Sequence, residues 1–239
     1  MAAPALLVGR KTGALPIGLH VPTAVGPIYQ SVASPFGERY STDELHHRVV
    51  VERGEERCAF GRPGAGAGHF SFPRGIALVS GRTRSSSRLF VCDAWNDRVQ
   101  VFDGHGVFVF AFGGRGTGPG QFNAPSGLAV VQPVLPGDDE HPFFDHDAML
   151  AVADRENHRI QVFSLDGTLV SMIGEGLDHP SRIVWQAPSL DVSCAGGKSV
   201  RIDLAVSMLR GEPAPGPAAA PPRRTRLRLV ASRGVRCAS

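Results

Sequence analysis

Three groups of residues in this chain of 239 residues carry side chains that could do chemistry. The first is Asp138-Asp139-Glu140-His141 with Asp145-His146-Asp147, dense enough in oxygen and imidazole donors to hold a divalent cation. Calcium loops normally place a glycine inside the acidic run, whereas Pro142-Phe143-Phe144 interrupts this one. The expectation is therefore a solvated acidic loop, with Phe143 and Phe144 as a sticky contact. The second group is Arg74, Trp95, Arg155, Arg182 and Trp185, with Asn96, Asn157 and His158 beside them. Tryptophan and arginine together stack on bases or anchor protein contacts. Asp93, Asp97, Asp154 and Glu156 lie among them, so this candidate binding face is mixed in charge and reads as a protein contact before an RNA one. The third group is a recurring pair, an aspartate with an arginine five residues later: Asp43 and Arg48, Asp93 and Arg98, Asp154 and Arg159. Facing each other across a hairpin mouth, such a pair forms a bidentate, charge-assisted bond and satisfies turn amides. A pair that recurs this way is expected to be a structural staple rather than an active site.

The elements that position these groups announce themselves by repetition. Asp93-Ala94-Trp95-Asn96-Asp97-Arg98-Val99-Gln100-Val101-Phe102 returns as Asp154-Arg155-Glu156-Asn157-His158-Arg159-Ile160-Gln161-Val162-Phe163. Each copy follows a Pro-x-Gly-aliphatic-Ala element, at Pro73 and at Pro125. Self-similarity at such a period decides the fold before any local reading does. Prolines 22, 73, 125 and 180 open four units, and Asp43, Asp93, Asp154 and Asp203 follow them. Within the second unit, 75–79 and 88–92 read as strands, 98–102 alternates with period two, 103–106 is a hairpin turn, and 107–112 is a fourth strand. Four antiparallel strands repeated radially make a β-propeller blade. The expected fold is all-β: four recognisable units at 22–61, 73–113, 125–174 and 180–210, in a closed four-blade ring or an incomplete one. Residues 1–21 form an N-terminal extension, and 211–239 a Pro/Ala linker with an Arg-rich tail. Either 225–231 or 5–8 would supply the missing outer strand of the last unit.

Asn157-His158 followed by Arg159-Ile160-Gln161-Val162-Phe163, with Gly120-Gln121-Phe122-x-x-Pro125 upstream, resembles the NHL repeat of β-propeller proteins. The resemblance is specific over about 60–174 and fainter in the flanking units. It implies the propeller fold and use as a protein- or RNA-binding surface, and in some relatives as a lyase scaffold with histidines around a metal in the central channel. Three positions depart from the pattern: Ala24 and Arg182 replace the glycine after the opening proline, and Met208 stands where a fourth arginine is expected.

The nine histidines do not recur at one inward position, and neither G-x-S-x-G nor H-E-x-x-H occurs. We therefore expect no catalytic residues, no cofactor and no resident metal, and a non-catalytic interaction scaffold whose partner is a protein. The alternatives are an RNA-binding propeller face and a metal-dependent propeller lyase or hydrolase. Net charge is +3, but residues 211–239 hold six arginines and one acid, leaving −2 on the rest, so no broad basic field advertises nucleic acid. Cys58, Cys92, Cys194 and Cys237 lack metal spacing, and Cys92 stands where the next copy has Ala153, as a small buried side chain would. No apolar run approaches a membrane span, and the N-terminal apolar patch is too short for a signal segment, so the expected location is cytoplasmic. An incomplete ring would call for oligomerisation.

Overall fold

The computed structural model describes residues 19–20, 28–132, 148–174, 176–209, 226–231 and 236–238. The acidic segment 138–147, the linker 211–222, the 5–8 segment and Pro22 with Ala24 lie outside them. The fold is an all-β propeller of four antiparallel blades, with strands numbered here in chain order. Blade 1 is β2 (Ile28–Ala33), β3 (Arg39–Asp43), β4 (Arg48–Arg53) and β5 (Glu56–Phe60), with β1 (Leu19–His20) added outside β5. Blade 2 is β6 (Pro73–Val79), β7 (Arg88–Asp93), β8 (Arg98–Phe102) and β9 (Phe108–Gly113). Blade 3 is β10 (Pro125–Val131), β11 (Met149–Asp154), β12 (Arg159–Ser164) and β13 (Leu169–Ile173). Blade 4 is β14 (Arg182–Gln186), β15 (Ser189–Ser193) and β16 (Ser199–Leu209), bordered by β17 (Arg226–Ala231) and β18 (Arg236–Ala238).

The C-terminal segment thus supplies the outer strand. Within 225–231, one of the two candidates from sequence, Arg226–Ala231 pairs with the extension of β16 over Leu204 to Leu209. It is β18, further on, that pairs with Ser199 to Arg201 inside the blade.

Register corrects the sequence alignment at both ends of the array. Pro73 lies opposite Asp93 and Pro125 opposite Asp154, but in blade 1 it is Ile28 that lies opposite Asp43. Ile28 therefore takes the opening position rather than Pro22, and Gln30 rather than Ala24 takes the glycine's place. The cause is a short β2–β3 connection, closed by the Ser34 amide donating to the Glu38 carbonyl at 2.7 Å. In blade 4, Ser193 pairs with Ser199, and the Cys194 amide donates to the Lys198 carbonyl at 2.7 Å. Cys194 and Lys198 hold the positions of the aspartate and the arginine. Asp203 lies at the other end of the blade, opposite Ser189, whose hydroxyl it accepts at 2.6 Å.

Alternation puts apolar residues on both faces of the inner blades, because each face packs on a neighbour. Ile76, Leu89, Val91 and Phe102 of blade 2 meet Tyr40, Val49, Val51 and Phe60 of blade 1. Comparable clusters join blades 2 and 3, and blades 3 and 4. The two outward faces are different. Where blade 2 turns Ile76, Leu89 and Phe102 backward, blade 1 turns Ser31, Arg39 and Glu52, the last paired with Arg57. Where blade 3 turns Ala129, Ala151 and Val162 forward, blade 4 turns Val184, Asp191 and Arg201, the last two paired at 2.7 Å. Polar outer faces are what terminal repeats need for solubility. Among the described residues no apolar cluster joins blade 4 to blade 1. A polar contact does, the Tyr29 hydroxyl donating to the Ser181 carbonyl at 3.2 Å.

Candidate functional site

The polar residues of the repeated sentence converge on one buried carboxylate in each of blades 2 and 3, with a smaller counterpart in blade 1. Asp93 is fully buried at the end of β7. Its Oδ1 accepts the Ser71 amide at 2.7 Å, and its Oδ2 accepts Asn96 Nδ2, Arg98 Nε and Gln100 Nε2 at 2.9, 2.8 and 3.0 Å. Asp154 repeats this with the Asn123 amide, Asn157, Arg159 and Gln161 at 2.8, 2.9, 2.7 and 3.1 Å. Asp43 accepts Arg48 Nε at 3.0 Å and the His46 amide and ring. In blades 2 and 3 the arginine meets its aspartate through Nε, so the pair is not bidentate as expected. The rest of the guanidinium faces the glycine-rich loop arriving from the preceding blade: Arg98 Nη2 donates to Gly66 and His69 carbonyls, and Arg159 to those of Thr117, Gly118 and Gln121. A buried charge with all its acceptor sites filled is affordable where a bare one is not.

Asn96 and Asn157, assigned to a binding face from sequence, belong to these hubs. Each gives its second amide proton to a loop carbonyl, of Gly64 and Gly116 respectively, at 2.9 and 2.8 Å. Gln100 and Gln161, both fully buried, were missed; their Oε1 atoms accept the Gly68 and Gly120 amides. The available signal was that the glutamine recurs in both copies, two residues after the arginine.

Two 3-10 turns, Ala94–Asn96 and Arg155–Asn157, lead from each aspartate into a left-handed residue, Asp97 and His158, with φ of 52° and 51°. His47 takes the same conformation in blade 1. Each accepts the amide of a left-handed residue opening the next blade: His47 Nδ1 from Phe72, Asp97 Oδ1 from Ala124, His158 Nδ1 from His179, at 3.0, 2.8 and 3.2 Å. This turn position, histidine in blades 1 and 3 and aspartate in blade 2, therefore makes an inter-blade bond.

The remaining face residues scatter. Trp95 is 62% exposed and stacks on Phe72 at 4.2 Å, with His47 edge-on to Phe72 at 4.7 Å. Arg74 bonds Glu44 at 2.9 Å, its guanidinium 5.8 Å from the Tyr29 ring centre. Burial pushes the Tyr29 hydroxyl above its ordinary pKa, against the opposing charge of Arg74. Arg155 pairs with Glu156, and Arg182 is exposed. Trp185 does not join the others: it lies three residues further along β14 and packs against the core between blades 3 and 4. The axis holds a cavity of about 540 Å³ lined by Tyr29, Gln30, Arg182, Trp185 and the aliphatic stretches of β6 and β10. Among the described residues that line it there is no histidine, cysteine or carboxylate.

A radial array of four-stranded antiparallel blades with staggered loop hubs defines a β-propeller. No family model matches the chain. It is 47% identical over 77 residues to the RING finger protein nhl-1 of Caenorhabditis elegans, covering 32% of this chain and 7% of that one. It is 34% identical over 170 residues to the mouse peptidyl-glycine alpha-amidating monooxygenase, covering 66% and 14%. It is 32% identical over 128 residues to the Drosophila melanogaster protein brain tumor, covering 53% and 11%. The chain spans 7–14% of the length of these relatives. Among solved structures, a chain of a nidogen/laminin complex superposes with a TM-score of 0.53 at 16% identity, covering 77% of this chain and 62% of that one. A Kuenenia stuttgartiensis hydrazine synthase chain gives 0.50 at 17%, covering 82% and 49%. The chain belongs to the NHL-repeat β-propeller family. Among the described residues no helix is long and apolar enough to cross a membrane.

Proposed function

We propose that the chain is a non-catalytic scaffold that binds a protein through the loop end of blades 1 and 2. The observation that carries this reading is the aromatic ledge in which exposed Trp95 stacks on half-buried Phe72 and His47, with Leu45, 61% exposed, on the same turn as His47. Aromatic anchors beside an Arg–Glu pair are the composition of a protein-contact hot spot. Asn96, Arg98 and Gln100 are engaged in the blade 2 hub, and Asp93, Asp154 and Asp43 are buried rather than open to a substrate. Among the described residues lining the axial cavity, where a lyase of this family would gather histidines, none is a histidine. Three buried free thiols among the described residues, Cys58, Cys92 and Cys194, fit a reducing compartment such as the cytoplasm.

Parallel selections of a random peptide library and a single-stranded RNA pool against the full chain test this. Expected are peptides that bind the wild type at physiological salt and lose at least about tenfold on Trp95→Ala, in the range of a hot-spot residue. Sequence-selective RNA binding that survives charge removal at Arg223, Arg224 and Arg233 would replace the reading, since base stacking on Trp95 is worth about 1–3 kcal/mol per base. Deleting the whole tail is not a usable control, because β17 and β18 lie in it.

A further inference from the structure

We propose that His158, Asp178 and His179 form a binding site for a first-row divalent transition metal of the zinc class, clamping the junction between blades 3 and 4. One donor atom from each of the three lies within 4.8 Å of the others. Asp178 Oδ1 sits 2.7 Å from His179 Nδ1 and 3.4 Å from His158 Nδ1, and the two rings meet edge-on at 4.2 Å. Metal–nitrogen and metal–oxygen bonds near 2.0–2.2 Å place ligand atoms about this far apart around one ion. The His179 proton now shared with Asp178 leaves when the metal takes Nδ1, and the long 3.2 Å bond from the His179 amide to His158 Nδ1 yields to the stronger ligand bond.

A second observation points the same way. Glu156 Oε2 lies 3.5 Å from His179 Nε2, on the far side of the ring from Asp178. A carboxylate on the distal ring nitrogen is the arrangement that orients metal-bound histidines, and here Arg155 holds Glu156 in turn. Two imidazoles and one carboxylate select zinc, copper, nickel or cobalt over calcium and magnesium. Three protein ligands leave a coordination position for water.

The location gives the site a purpose. At the two preceding junctions the incoming loop is tied down by an Asp–Asn–Arg–Gln hub of the following blade. Blade 4 presents Cys194, Lys198 and Val200 at the hub positions, so the loop reaching it has no such anchor. The same left-handed pair carries His47 with Phe72, then Asp97 with Ala124; at the junction between blades 3 and 4 both positions are histidine. A metal there supplies the cross-link that the hub supplies elsewhere.

The test is calorimetric titration of the full chain, freed of metal by chelator, with Zn²⁺, followed by thermal melts. One Zn²⁺ should bind and raise the melting temperature with ligand concentration, while Ca²⁺ and Mg²⁺ do neither. Asp178→Asn, an exposed position outside the core, and His179→Ala, which keeps the inter-blade amide bond, should each weaken binding at least about tenfold. Glu156→Gln should weaken it by about 10–100-fold without removing a ligand. Deleting 138–147 should leave the affinity unchanged. Undiminished Zn²⁺ affinity in Asp178→Asn, or loss of binding on deleting 138–147 instead, would overturn the proposal. A ledge that binds peptides identically with and without Zn²⁺ keeps this outcome separate from that of the proposed function.

Discussion

The junction between blades 2 and 3 and the junction between blades 3 and 4 solve one problem in two ways. Both bring a loop from an outer strand to the innermost strand of the next blade, and both use a left-handed acceptor bonded to a left-handed donor, Asp97 with Ala124 and His158 with His179. At the first, the loop is long and glycine-rich, and Asp154, Asn157, Arg159 and Gln161 bond its carbonyls and amides one by one. At the second, the hub residues are gone and the loop is shorter. It keeps the backbone bond that all three junctions share, here the Ala195 amide donating to the Asp178 carbonyl at 2.9 Å. The difference shows that the repeat's polar sentence serves the loop before it. Where the loop shrinks, the sentence decays.

Breaking the hub should therefore have the largest effect. Asp154→Ala leaves Arg159 Nε, the Asn157 and Gln161 amides and the Asn123 amide without their acceptor in a fully buried site. A loss of about 3–5 kcal/mol is expected, the range for removing one partner of a buried charge pair. Arg159→Ala should cost less, about 1–3 kcal/mol, since the carboxylate keeps three donors. Lys198→Ala, at the arginine position of blade 4, should leave the urea midpoint where it was. Equal losses at positions 159 and 198 would mean that the two junctions do not differ.

Glycine at the closest approach between blades gives the next contrast. A Cβ on Gly127 would sit 2.5 Å from the Ser181 carbonyl oxygen of blade 4, and one on Gly75 would sit 2.4 Å from that of Ser126 in blade 3. Neither neighbour is a flexible side chain, so Gly127→Ala should destabilise by about 1–3 kcal/mol through overpacking. Arg182 holds the same position in blade 4 and carries a long exposed side chain there, so Arg182→Ala should be close to neutral in the same urea titration. That asymmetry agrees with the polar forward face of blade 4.

The fold was legible because its signal is redundant: repeated Pro-x-Gly and Asp-x4-Arg anchors survive local errors. The ends were less so. Spacing alone puts Asp203 at the fourth aspartate, whereas the register gives that position to Cys194, freed of the requirement by the short loop. Spacing likewise puts Pro22 at the first opening position, which the register gives to Ile28. Asn96 and Asn157 looked like surface because turn residues usually are, and sequence carries no sign that a turn amide reaches a carbonyl of the loop before it. Gln100 and Gln161 alternated like solvent-facing strand residues, but the face they occupy is covered by that loop. His179 stands where the other copies have Phe72 and Ala124, so no recurring residue type marks its place beside His158.

A smaller effect separates the first junction by pH. Tyr40 donates to the Gly104 carbonyl of blade 2 at 2.7 Å, and burial with the nearby Glu38 carboxylate pushes its pKa up to about 12. Below pH 10 both folded and unfolded chains keep the proton. Between 10 and about 12 the unfolded chain loses it first, so stability falls as pH rises. Tyr40→Phe should cost about 1 kcal/mol at neutral pH and flatten that alkaline decline, read from urea midpoints.

The smallest effect needs no change in stability, since it compares two thiols at the two kinds of junction. Cys92 is fully buried beside Asp93 in a hubbed blade, and burial together with that carboxylate drives its pKa strongly upward. Cys194 is also buried, but it occupies the hub position of blade 4, where backbone bonds and no side-chain hub hold the incoming loop. Neither reacts with iodoacetamide without opening, and opening free energies vary from near zero at weakly held segments to the global value in the core. In a Cys237→Ser chain held metal-free, Cys194 should be alkylated first, at a rate set by local opening of the loop before blade 4. Cys92 should follow only at the rate of global unfolding, and the gap should narrow when Asp93 loses its hub through Arg98→Ala. Simultaneous labelling of the two thiols in the wild-type background would show that the junction between blades 3 and 4 is as firmly closed as the others, and that its missing hub is made good by the backbone alone.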